Sequence, residues 1–101
     1  MANQRALANP GMTLGALMRV ALNTLENSTN LTHITKACMT LELSTRYSET
    51  SCQVLVASDA PSILYQLILS LNRSPPHIRI LILALKILKN GAKRGLKFGL
   101  L

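Results

Sequence analysis

The sequence predicts an all-α chain of about five helices stacked side by side as an α-solenoid fragment. Three observations lead there. The composition is 49% hydrophobic but only 3% aromatic, with no Trp; Leu, Ile, Ala and Val at that level fill helices, whereas a small sandwich or barrel draws more on Tyr, Phe, Val and Thr. Apolar residues recur every three or four positions along most of the chain. And the second half has the order of a helical repeat: a helix opened by Asp59 and Pro61, a polar break at Asn72-Arg73-Ser74-Pro75-Pro76, then an apolar helix carrying one basic stripe.

The elements follow in order. Residues 1–11 are Asn-rich, carry Pro10-Gly11 and read as a flexible lead-in to a helical-repeat domain over 12–94. Thr13 caps a first helix whose apolar positions, Leu14, Leu17, Met18, Ala21, Leu22 and Leu25, fit one face. Gly15 weakens its first turn by up to about 1 kcal/mol relative to Ala, and the Glu26-to-Asn30 cluster ends it, because short polar side chains compete with helical backbone bonds. A second helix opens near Thr32 with Ile34, Ala37, Cys38, Leu41 and Thr45 in one row and stops near Tyr47. Ser48 caps a short third helix with Cys52, Leu55 and Val56 inward. Asp59 caps a fourth, where Pro61 costs no hydrogen bond in the first turn and Ile63, Leu64, Leu67, Ile68 and Leu71 form the buried stripe.

Pro75 and Pro76 start the fifth helix, apolar through Ile80, Leu81, Ala84, Leu85, Ile87 and Leu88. At 100° per residue Arg79, Lys86, Lys89, Lys93 and Lys97 fall within an arc of about 80°. Gly91, Gly95 and Gly99 leave the end of this helix open after Asn90, and 95–101 form an apolar and basic tail. Without a polar cap there, the stack is open-ended and suited to self-association or to a further repeat.

Charge is distributed unevenly. Residues 1–59 carry Arg5, Arg19, Lys36 and Arg46 against Glu26, Glu42, Glu49 and Asp59; residues 60–101 carry seven cations and no acid, which accounts for the net +7. Such a half favours acidic partners. The basic ridge of Arg79, Lys86, Lys89, Lys93 and Lys97 is therefore the expected partner-binding surface. Leu85, Leu88, Lys89, Lys93, Lys97 and Phe98 also make a basic amphipathic helix suited to a helix-binding protein such as calmodulin or to a membrane surface, the alternative reading being association with an anionic membrane or nucleic acid.

Chemistry-bearing residues are sparse. Cys38 and Cys52 sit on apolar stripes and read as small hydrophobes. His33 and His77 read as exposed turn histidines, with no neighbours at ligand or triad spacing. Ser74-Pro75 is a candidate phosphorylation site whose added charge would oppose the ridge's attraction for acids. The sequons at Asn27, Asn30 and Asn72 are expected to be idle, since no signal peptide is expected ahead of them. Four acids in the chain leave little for acid–base catalysis, so no enzyme, cofactor, metal or small-molecule substrate is expected, and an intracellular, reducing location is.

From about Leu22 to Lys93 the sequence resembles the C-terminal armadillo-like region of the abnormal spindle (abnormal spindle-like microcephaly-associated) family. The resemblance is carried by residues 37–48 (ACMTLELSTRYS) with Cys52, by 67–76 (LILSLNRSPP) and by 84–93 (ALKILKNGAK). It implies an armadillo/HEAT-like helical repeat in a protein of the spindle pole, with spindle or microtubule-associated partners, tubulin among them, in the cytoplasm, cytoskeleton or nucleus. The chain departs from the family pattern at Gly91, where an apolar residue is expected, and in the tail from Arg94. No IQ-type calmodulin-binding run is present.

Overall fold

The computed structural model describes residues 13–94, which form five α-helices: α1 (Leu14–Asn27), α2 (Leu31–Tyr47), α3 (Glu49–Ala57), α4 (Ala60–Ser70) and α5 (Pro75–Lys93). The lead-in and the tail, including Lys97 and Phe98, lie outside the described residues.

Helix starts are set by short polar side chains. Thr13 Oγ1 accepts the Ala16 N–H at 3.1 Å, Asn30 Oδ1 accepts that of His33 at 3.0 Å, and Ser48 Oγ accepts that of Ser51 at 3.1 Å. The cap of α2 is thus Asn30 rather than Thr32, and the helix opens at Leu31. Ser48 serves twice: its backbone N–H closes α2 on the Ser44 carbonyl, and its hydroxyl opens α3. Asp59 and Ser74 occupy the cap positions of α4 and α5 without a side-chain bond to the helix. At both of those starts a proline occupies the first or second helical position and fixes φ where no N–H is needed.

The buried positions repeat at helical spacing. α1 contributes Met18, Ala21, Leu22 and Leu25, and α2 contributes Ile34, Ala37, Cys38 and Leu41. Cys52 and Leu55 come from α3, Ala60, Leu64 and Leu67 from α4, and Ile80, Ala84 and Ile87 from α5. Each fully buried Leu or Ile contributes about 2 kcal/mol of transfer free energy. α3, with 9 residues, is too short to hold as an isolated helix; burial of Leu55 and Cys52 holds it. Ile63, Ile68 and Leu71 only border the core, as does Val56.

Packing is partly between neighbours in sequence and partly not. α2 lies between α1 and α5, α1 also meets α3 and α4, and the most extensive contact among the described helices is α2 on α5. The described residues measure 45 × 32 × 19 Å, the short dimension being that of two helix layers. No single described helix is long and apolar enough to cross a membrane; α3 and α4 together reach that length but bend by 81°.

Candidate partner-binding face

Arg79, Lys86, Lys89 and Lys93 are all exposed on α5. The helix that presents them starts where it does because Pro75 and Pro76 occupy its first turn. The break before it is organised by Asn72, whose Oδ1 accepts the Ser74 N–H at 2.7 Å while its own N–H donates to His77 Nδ1 at 3.2 Å. His77 is therefore a half-buried part of the first turn of α5 rather than an exposed turn histidine. His33 is exposed as expected, but it lies within α2. Ser74 is half-buried at the cap position, between the exposed Arg73 and Pro75.

The cationic ridge is not set apart from apolar surface. Leu85, expected in the core, is 50% exposed, because the buried side of α5 centres on Ile80, Ala84 and Ile87. Ile82 falls inside the cationic arc, and Ile78 and Leu85 border it within about 40°; all three are exposed. Leu14 and Leu17 of α1 are likewise exposed despite matching the apolar periodicity, and Leu17 lines a hollow between α1 and α2.

Opposite α5, the outer side of α2 contributes Lys36, Met39, Leu43 and Arg46 to a hollow of ≈ 550 Å³ that Leu83 and Lys86 close from the α5 side. Beneath it a polar staple joins the two helices. Glu42, only 6% exposed, takes both Arg46 Nε at 3.0 Å and Arg46 Nη2 at 2.5 Å. The buried Asn90 amide of α5 donates to the Glu42 carbonyl at 3.1 Å, to Glu42 Oε2 at 3.2 Å and to Thr45 Oγ1 at 3.1 Å. The Arg46 hydrogen bonds, helped by Asn90 and by the positive charges of Arg46 and Lys86, hold the Glu42 carboxyl below its ordinary value against the effect of burial. Arg94 Nη2 adds a bond to the Arg46 carbonyl at 3.1 Å. The walls of the hollow are thereby fixed in register.

Both cysteines are buried and unpaired. Burial pushes the Cys38 thiol up to about 12 and also raises that of Cys52, so neither provides a thiolate near neutral pH. Cys52 Sγ lies 3.3 Å from the Thr45 carbonyl, which ties α3 to α2. Among the described residues no group of three or more His, Cys, Asp or Glu could hold a metal ion.

Of the five ridge residues expected from the sequence, four stand together on α5 and Lys97 lies outside the described residues. Sequence reasoning missed the α2 half of the face. Its signal was present: Lys36, Met39, Leu43 and Arg46 form a second row at helical spacing, offset from the buried row of Ile34, Cys38 and Leu41. The chain matches no family model, no curated protein and no solved structure.

Proposed function

We propose that this chain is a non-catalytic interaction module, a stretch of armadillo-like helical repeat that holds spindle or microtubule partners, tubulin among them, on its outer basic face. The carrying observation is that Arg79, Lys86, Lys89 and Lys93 are exposed along one side of a helix that bears no acid. The repeat reading is supported by packing of α1 on α4 and of α2 on α5, each pair three elements apart, as stacking of three-helix units requires. It is also supported by the role of Asn90, which belongs to the 84–93 segment that resembles the abnormal spindle family and joins helices rather than facing solvent. The resemblance rests on those sequence segments and carries with it a place at the spindle pole, in cytoplasm and cytoskeleton.

Attraction between exposed cations and acidic tubulin surfaces is screened by salt. Co-sedimentation with microtubules should therefore be strong at low ionic strength and fall at least tenfold when Lys86, Lys89 and Lys93 are changed to Glu. Absence of pelleting at low salt rejects direct microtubule binding.

The exposed Ile78, Ile82 and Leu85 beside the cations favour a second reading, adhesion to an anionic membrane. Since the other side of α5 is committed to the core, it would adhere as part of the folded face and not as a free helix. Co-flotation with phosphatidylserine vesicles, dependent on Ile82 and Leu85, is the expected sign of that reading.

A further inference from the structure

Two matching rows face each other across the α2–α5 seam. On α2, Lys36, Met39, Leu43 and Arg46 stand at i, i+3, i+7 and i+10; on α5, Arg79, Ile82, Leu83 and Lys86 stand at i, i+3, i+4 and i+7. In each row two apolar side chains are bracketed by cations. The rows line two adjoining hollows, of ≈ 550 and ≈ 230 Å³, that share Met39, Leu83 and Lys86. Their floor is apolar and open: Met39 is 49%, Leu43 53% and Ile82 48% exposed.

We propose that this groove docks one acidic amphipathic helix of a partner protein, apolar side down, with its carboxylates reaching Lys36, Arg79 and Lys86; the proposal rests on the reading of the chain as an interaction module and names the partner's chemistry. Three features select that occupant. Its charge follows from the lining: Glu42 is the sole carboxylate there and is already held by Arg46 and Asn90. Among the described residues Glu42–Arg46 is the one ion pair, so Lys36, Arg79 and Lys86 belong to none there. Its length follows from the α2 row, whose ten-residue span is about 15 Å, nearly three turns of helix. Its conformation follows from the walls, since two packed helices offer a concave apolar channel and no open strand edge for an extended peptide to pair with.

The test uses the full 101-residue chain and a labelled helical peptide of about sixteen residues, with Leu at i, i+3 and i+7 spacing and Glu at most other positions. Fluorescence anisotropy should show saturable binding that weakens with salt. Leu43→Glu with Ile82→Glu should weaken it at least tenfold. Arg19→Gln with Arg73→Gln, exposed positions outside both the groove and the ridge, should change it by less than about threefold. A scrambled peptide of equal composition that breaks the apolar row should bind at least tenfold more weakly. Equal binding of the scrambled peptide would mean mere charge attraction and overturn the proposal.

Methyl NMR of the unsubstituted chain gives a readout independent of any variant's folding. Peptide-induced shifts at Met39, Leu43 and Ile82 are expected, and shifts confined to other methyls overturn the assignment. If the peptide fails to bind while microtubules still pellet the chain, the groove inference falls alone. If the peptide binds and microtubules do not pellet the chain, the groove stands and direct microtubule binding falls. Failure of both removes both. Transfer of the same methyl shifts to phosphatidylserine vesicles, without peptide binding, replaces the helix by a lipid surface.

Discussion

Asn90 is the residue on which most of the α2–α5 junction turns. Its side chain spans 48 residues of sequence to reach Glu42, and loss of that amide leaves a buried carboxylate and a buried carbonyl with fewer donors and the Thr45 hydroxyl, which still donates to the Leu41 carbonyl, with no donor to accept from. Leaving buried polar groups unmet costs about 1–3 kcal/mol. Asn90→Ala should therefore lower unfolding stability by about 2 kcal/mol, measured by chemical denaturation, whereas a substitution at the exposed Lys89 should lie within about 0.5 kcal/mol of the parent. Ser51 has no counterpart of this kind: its hydroxyl is buried with no hydrogen-bond partner among the described residues, and nothing in the structure accounts for it.

At the scale of the element, the helix starts divide into two physical kinds. α1, α2 and α3 begin on a side-chain cap; α4 and α5 begin on proline. A capping side chain contributes about 1 kcal/mol, so Asn30→Ala should cost about that much. Asp59→Ala should be nearly neutral, because Asp59 makes no capping bond. Thermal unfolding of the two variants side by side checks the contrast, and equal losses would contradict it. The polar breaks themselves were legible in the sequence, since Asn, Ser, Asp and Pro act on the backbone within a few residues of where they stand. Leu85 was not legible in the same way. It satisfies the apolar periodicity of α5, but the angle at which α5 lies on α2 puts Ile80, Ala84 and Ile87 inward and Leu85 outward.

For the whole molecule, acid is the informative stress. The folded Glu42 carboxyl titrates below its ordinary value, 4.5, so the fold binds fewer protons than the unfolded chain in that range. Its contribution is complete above about pH 4.5 and is lost as pH falls through the depressed folded value. Unfolding free energy should decline below pH 4.5, and Glu42→Gln should make that decline shallower. An unchanged slope would mean that the α2–α5 staple does not carry it.

Taken by itself, the sequence determined the helical content, the breaks and the asymmetry of charge, because caps, prolines, periodicity and composition act through neighbours a turn or two away. Four of the five ridge cations followed from the same local rule. Only the tertiary structure decided that α5 lies against α2, that Glu42 and Asn90 meet in the interior, and that Met39 and Leu43 face Ile82 and Leu83 across an open groove. Those pairings join positions some forty residues apart. They depend on how the helices cross once the apolar rows are buried together, and no pattern within one helix encodes that angle.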